Sequence, residues 1–486
     1  MNTEISNLEP KPVWRNFAAL NSVPRPSKKE ERVIRFMVEY GEGLGLETMT
    51  DRVGNVIIRK PATKGMEDRQ MVVLQSHLDM VHQKNTATEF DFETEGIRMI
   101  IDGDWVKAEG TTLGADNGMG VAAIMALLES TDIPHPPLEA LFTIDEETGM
   151  TGAMGLEGGL LKGSILLNLD TEEDDEIDIG CAGGIDITAE KAYKEVDIPA
   201  EVSGFKISVK GLKGGHSGMD IHRGLGNANK IMNRILLNSL SEFNIGLQEI
   251  NGGGLRNAIP RESTAVIYIP GGAVEAFKEQ LEQWTNTIKE ELSATEPGLI
   301  IELTPAGLKK KAVAADDLSQ LLRTIYAMHN GVYAMSASIP DLVETSNNIA
   351  RVGVTEGKMS IQCLTRSSVN SAKTDLAESL RSALILGGFS VKLSGEYPGW
   401  KPNPDSAILK VLTRRYEALF GQKPDVVACH AGLECGILGQ NYPEMDMISF
   451  GPTIKGAHSP DERVEIKSVQ KFWNYLLDIL AHIPAA

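Results

Sequence analysis

Cysteine is scarce in this chain. The four present (Cys181, Cys363, Cys429, Cys435) are scattered through 486 residues with no C-x-x-C. That leaves no disulfide framework or thiolate metal site to expect, and it points to the reducing cytoplasm. Positive charge is also short: 47 Lys and Arg stand against 67 Asp and Glu, a formal net charge of −20, which argues against nucleic acid or an anionic membrane as partner. No window approaches about 18 uncharged apolar residues, so no membrane-spanning helix is expected. The opening MNTEISNLEPKPVW has neither a basic nor an apolar signal region, and no secretory leader is expected. Two familiar loops are missing as well. GADNGMG is not the G-x-G-x-x-G of a dinucleotide-binding dehydrogenase, and GHSG lacks the spacing that would make Ser217 a nucleophile.

What is present is an ordinary soluble composition, with 42% hydrophobic residues and 48 glycines, long enough for two or three domains. SKKE (Ser27 to Glu30) has the form of a capping box ahead of a helix, ERVIRFMVEYGEGLG. NVIIRK, MVVLQSHL, LEALFTI and SILLNLD are strand candidates, with the helix NGMGVAAIMALLES between the second and third. Near-continuous apolar strands alternating with helices predict a mostly parallel α/β sheet covered on both faces. From about residue 189 the strands alternate in polarity instead: SGFKISVKGL, FNIGLQEI, STAVIYIP, with the helices NANKIMNRILLNSL and AVEAFKEQLEQWTNTIKEEL. A similar cycle follows between about 301 and 395. Both suggest ferredoxin-like units. The expected organisation is a first α/β part over 1–188, an inserted α+β lid over 189–396 built from two such units, and a second α/β part over 397–486. SPDE (Ser459 to Glu462) reads as a capping box for the last helix.

The chemistry gathers at the carboxyl ends of the α/β strands. VVLQSHLDMV sets His77 and Asp79 two apart, on one face of a core strand. TIDEETG brings Asp145, Glu146 and Glu147 to another strand end, and LLNLD brings Asp170 to a third. Asp116 in GADNG precedes one helix and His458 in GAHSPDE precedes the last. Each has a plainer reading: a hydrogen-bonded core histidine, an N-cap aspartate, a solvated acidic loop. Taken together they crowd one sheet edge, where ligands bind in open parallel sheets and where unpaired acids repel. Two divalent cations remove that repulsion, because Asp116, Glu147, Asp170 and a shared hydroxide balance four positive charges while His77 and His458 stay neutral. Oxygen and imidazole donors without thiolate suit catalytic zinc, with manganese or cobalt as substitutes. In this reading His77 is a ligand and Asp79 fixes its tautomer.

The ordered series SHLDMV, GADNG, IDEETGMTGA, LLNLD, KGGHSGMDI and HSPDE resembles the dinuclear zinc peptidases related to aminoacylase and glutamate carboxypeptidase. LQSHLDMVHQK, EGTTLGADNG, GLRNAIPRE and HAGLECGIL extend the resemblance along essentially the whole chain. It implies that Asp116 bridges two zinc ions, with His77 and Asp170 completing one site and Glu147 and His458 the other. It further implies a cis Asp116–Asn117 peptide, and a general base, Glu146, that moves a proton from water to the leaving amine. His216 would stabilise the oxyanion, within its own chain or toward a partner's site in a homodimer, and Asn257 and Arg366 would hold the substrate's terminal carboxylate. By position alone, His430 and Glu434 fall at the pocket border, toward the free amine. The implied activity is metal-dependent hydrolysis of small dipeptides with a free amino end, Xaa-His dipeptides such as carnosine included. An N-acyl-amino-acid deacylase or desuccinylase on the same metals, or a non-catalytic binding protein on this fold, is the alternative.

Overall fold

The computed structural model describes residues 4–486; the first three residues of the MNTEISNLEPKPVW stretch lie outside them. The chain divides into two compact units. One comprises the residues up to Gly180 with Trp400–Ala428 and Leu433–Ala486, the other Cys181–Gly399 with Cys429–Gly432.

The first unit is built on an eight-stranded sheet in the order Glu47–Thr50, Val56–Lys60, Leu138–Thr143, Val72–His77, Ile165–Asn168, Asp446–Ser449, Glu176–Cys181, Asp425–Cys429. Leu138–Thr143, Val72–His77, Ile165–Asn168 and Asp446–Ser449 pair in parallel, and the flanking strands Val56–Lys60 and Glu176–Cys181 join them antiparallel. Every residue of Leu138–Thr143, Val72–His77 and Ile165–Asn168 is buried, as expected for parallel strands covered on both faces. Helix Ala115–Glu129 is apolar around its whole circumference, with Met119 and Val121 to Leu128 all buried, so it runs through the unit's interior. A small sheet of Met99–Asp102, Trp105–Ala108, Arg463–Glu465 and Ile454–Lys455 completes the unit. Among the described residues no helix is long and apolar enough to cross a membrane.

The second unit is built on a nine-stranded antiparallel sheet, eight of whose strands form two ferredoxin-like halves, with a small two-stranded sheet of Glu195–Asp197 and Lys311–Val313 beside it. Val202–Lys210, helix Ala228–Phe243, Gly246–Gly253, Ser263–Pro270, helix Val274–Glu291 and Ile300–Pro305 form one half, ordered fourth, first, third, second across the sheet. Gly183–Ala192, helix Ala315–Ala327, Val343–Thr355, Lys358–Ser367, helix Asn370–Leu386 and Ser390–Tyr397 repeat that order, and Gly246–Gly253 joins the halves by pairing with Val343–Thr355. The first strand of the second half therefore precedes the whole first half, so the repeat is not confined to 301–395. One shared core, including Ile207, Leu247, Ile267, Phe277, Leu321 and Ile361, underlies the sheet. The boundary expected at 189 falls inside Gly183–Ala192. That strand pairs along its full length with Lys358–Ser367, and its buried Ile185, Ile187 and Ala189 continue one alternation with no break in pattern.

Neither capping box forms. Helix Glu31–Gly43 has Glu30 at its N-cap with no side-chain bond there, while Ser27 Oγ donates to Asp79 Oδ2 at 2.7 Å. The last helix begins only at Ile466. Ser459 to Glu462 lie instead in the hairpin loop between Ile454–Lys455 and Arg463–Glu465.

Candidate functional site

Three neighbouring strand ends supply the acidic rim of the first unit. His77 closes Val72–His77, Asp170 follows Ile165–Asn168, and Glu146 and Glu147 open the short helix Glu146–Gly149 after Leu138–Thr143. Asp116 stands at the start of Ala115–Glu129, where its backbone (φ −81°, ψ 108°) is not helical, and the Asp116–Asn117 peptide is cis. His458 occupies the Ser459 hairpin loop with φ at 64°. Asp145 and Met150, on either side of the Glu146–Glu147 pair, have positive φ too. Left-handed backbone costs a non-glycine residue roughly 1–3 kcal/mol and tends to collect at functional sites.

The side chains converge. His77 Nε2 lies 3.2 Å from Asp116 Oδ1 and 3.5 Å from Asp170 Oδ1. His458 Nε2 lies 3.1 Å from Asp116 Oδ2 and 3.0 Å from Glu147 Oε2. Asp116 thus offers one oxygen to each imidazole. His77, Asp116 and Asp170 form one trio whose donor atoms lie within 4.8 Å of one another; Asp116, Glu147 and His458 form a second, and His77, Glu146 and Glu147 a third. Asp145, read beside the pair of glutamates, is instead tied to Lys28, Thr148 and Thr151.

Asp79 braces two sides of this rim. His77 Nδ1 is 3.1 Å from the Asp79 carbonyl and 3.4 Å from its Oδ1. Both are acceptors, so Nδ1 keeps its proton, and Nε2, which faces Asp116 and Asp170, is the nitrogen that can ligate once the ring is neutral. The Asp79 carboxylate also accepts the backbone N–H of Glu146 at 3.0 Å and of Glu147 at 3.3 Å. Asn117 Nδ2 donates to the Leu169 carbonyl at 2.7 Å and to Asp170 Oδ1.

Burial and crowded like charges shift the titration of the rim. Burial, with Asp170 and Glu147 as neighbours, pushes Glu146 well above the usual carboxylate range despite His77. Burial also raises Glu147 and Asp170, and it lifts Glu172 to about 8 with help from Asp116. Bonds to Asp116 and Glu147 push His458 up to about 11. Burial opposes charge on His77, yet Asp170, Asp116 and Asp79 hold its proton well above the ordinary range.

The second unit gathers its own cluster. His216 Nδ1 accepts the backbone N–H of Gly218 at 3.2 Å and of Met219 at 3.0 Å, which leaves the ring proton on Nε2. Arg366 Nη2 is 3.4 Å from that nitrogen, and Nη1 donates to Tyr397 Oη at 2.8 Å. Arg366 is buried. Two donors thus converge on one point, an arrangement suited to an anion. The exposed Asn257 sits in the adjoining turn, its carbonyl accepting Ser217 N–H at 2.7 Å. Asn348 Nδ2 pins that turn through the carbonyls of Arg256 (3.1 Å) and Ala258 (2.8 Å). A Cβ on Gly218 would come 2.0 Å from the His430 carbonyl, so only glycine fits. His430 itself pairs through Nε2 with Ser346 Oγ at 2.7 Å, and burial, with Arg366 and His216 nearby, brings it down to about 3.

Glu434 does not stand at a border. It is fully buried in the first unit, and its Oε2 accepts from Gln75 Nε2 and Thr143 Oγ1, each at 2.6 Å. The sequence reading missed Arg25 and gave Glu462 another role. Arg25, 1% exposed, donates to the carbonyls of Leu78 (3.0 Å), Asp79 (3.2 Å) and Gly114 (2.7 Å). Glu462 accepts from four consecutive backbone N–H groups, those of Leu113, Gly114, Ala115 and Asp116. Arg25 has no motif to betray it. The HSPDE stretch does draw the eye to Glu462, although its partners lie far away in sequence.

The donor set fits metal. It offers imidazole and carboxylate without thiolate, the Nε2 atoms of His77 and His458 face carboxylates, and buried Glu147 Oε1 has no hydrogen-bond partner among the described residues. Such a rim at the carboxyl edge of a parallel sheet defines a metallohydrolase of the dinuclear type. The chain belongs to Peptidase family M20/M25/M40, whose sequence profile matches residues 73–482. It is 45% identical over 483 residues to the cytosol non-specific dipeptidase of Escherichia coli (strain K12), covering 99% of this chain and 100% of that protein. The crystal structure of aminoacylhistidine dipeptidase from Vibrio alginolyticus superposes with a TM-score of 0.92 at 45% identity, covering 100% of this chain and 99% of that one. Aminopeptidase PepT from Bacillus cereus shares the fold at 15% identity, with a TM-score of 0.57 over 98% of this chain and 99% of its own.

Proposed function

We propose that the protein is a cytoplasmic metallodipeptidase that hydrolyses dipeptides with a free amino end, Xaa-His dipeptides such as carnosine among them. The carrying observation is Asp116, whose two carboxylate oxygens face His77 and His458 separately at 3.2 and 3.1 Å, with Asp170 and Glu147 completing the two trios. The near full-length likeness to two named dipeptidases supports the substrate class.

Two divalent ions, zinc with manganese or cobalt as substitutes, would be held by His77, Asp116, Asp170, Glu147 and His458, supplying Lewis-acid activation of water and of the peptide carbonyl. Glu146, half-buried beside these ligands and with a raised proton affinity, takes a proton from the attacking water and passes it to the leaving amine. Asp79 holds the His77 ring in its tautomer and anchors the backbone of Glu146. His216, its proton on Nε2, donates to the oxyanion. Arg366 and Asn257 hold the terminal carboxylate of the substrate, which sets its length. A homodimer belongs to this reading as well.

The test is a panel of free dipeptides assayed beside N-acetylated amino acids, before and after chelation. Hydrolysis of the free dipeptides, lost on chelation and restored by zinc, supports the assignment. Preference for the N-acyl substrates would hand the site to a deacylase, and no turnover of either with metal bound would leave a binding protein.

A further inference from the structure

We infer that Glu462 is a positioning residue that sets Asp116 and His458 in register through the backbone, an inference resting on the reading of these two as metal ligands. Its carboxylate takes Leu113 N–H at 2.7 Å and Gly114 N–H at 3.0 Å on Oε2, and Ala115 N–H at 2.7 Å and Asp116 N–H at 3.2 Å on Oε1. Glu462 belongs to the same hairpin loop as His458. One short stretch therefore supplies a ligand and also grips the segment that carries the other. The segment is held from a second direction by Arg25, whose Nη2 donates to the Gly114 carbonyl while Nη1 reaches Leu78 and Asp79. Gly114 thus has its N–H on the buried Glu462 carboxyl and its C=O on the buried Arg25 guanidinium. Its φ of 70° and the 2.6 Å approach of Arg25 Nη2 to any added Cβ restrict the position to glycine. Glu462 is 2% exposed, and four bonds to consecutive amides hold the loop in one geometry. Removing this carboxylate frees the peptide groups that orient Asp116, and it unties the His458 loop from them.

Glu462→Ala and Glu462→Gln test this by zinc titration of the metal-free protein, the visible spectrum of the cobalt-loaded protein, and separate kcat and KM for a dipeptide. The expected result is a roughly 10–100-fold weaker second zinc equivalent, an altered cobalt spectrum, and a fall in kcat with KM little changed. Glutamine, which keeps one accepting oxygen, should lie between alanine and the native residue. If Glu462→Ala does not fold, Glu462→Gln decides alone. A folded Gln variant with native zinc affinity, cobalt spectrum and kcat would overturn the inference. Native protein that binds two zinc ions yet leaves dipeptides intact would overturn the proposed function instead, while the affinity loss in Glu462→Gln would still stand.

Discussion

Asp79 and Glu146 are joined directly: Oδ1 of Asp79 accepts the Glu146 backbone N–H at 3.0 Å while lying 3.4 Å from His77 Nδ1. One carboxylate thus orients the His77 ring and anchors the Glu146 backbone. Asp79→Asn keeps the shape but turns an acceptor into a donor against His77 or against the two amides. We expect metal affinity and kcat to fall together, by roughly 10–100-fold each. Zinc titration beside steady-state kinetics checks this; a loss of kcat at native affinity would confine Asp79 to the placing of Glu146.

Glu146 lies beside the proposed ligands, where it would move a proton from water to the leaving amine. Glu146→Ala should retain both metal equivalents and lose roughly 10²–10⁴-fold in turnover, the span typical of a general base. A metal-loaded variant with near-native turnover would remove that role.

Metal binding must expel protons. His458, pushed up to about 11 beside Asp116 and Glu147, and His77, held well above the ordinary imidazole range, both carry a proton at neutral pH in the bare protein. Only the neutral ring is a ligand, so affinity should rise with pH across the neutral range. Calorimetry in buffers of different ionisation enthalpy should show proton release on binding, and buffer-independent heats would contradict it.

Asp178 gives a pH signature in the fold itself. Burial, with Glu176 and Asp170 near, pushes its carboxyl up to about 7, although Thr171 Oγ1 donates to it at 2.8 Å. The folded state then binds this proton more tightly than the unfolded chain does. Its contribution to stability is favourable at low pH and is lost as pH rises from the ordinary carboxylate range through about 7. Asp178→Asn should therefore raise the melting temperature more at pH 8 than at pH 5. An equal shift at both would mean the carboxyl is not strained.

Much of the rim was legible because its residues stand where the pattern breaks. His77 interrupts an apolar strand, and Asp170, Glu146 and Glu147 end strands that are otherwise buried throughout. The bracing was not legible. Ser27 and Glu462 each sit in a capping-box pattern, and local spacing cannot distinguish a carboxylate that caps its own helix from one that grips a loop 346 to 349 residues away. The repeat in the second unit escapes local spacing for a similar reason: strand Gly183–Ala192 and helix Ala315–Ala327 belong to one half although the whole other half separates them. The strands Glu47–Thr50 and Met99–Asp102 are short and partly exposed, so no periodicity announced them.

Elemental analysis of the purified, active protein addresses the account most directly, with activity followed as metal is removed and returned. Two divalent ions per chain should be present, and activity should recover fully only when both are restored. Full dipeptide hydrolysis with one ion or none would contradict it.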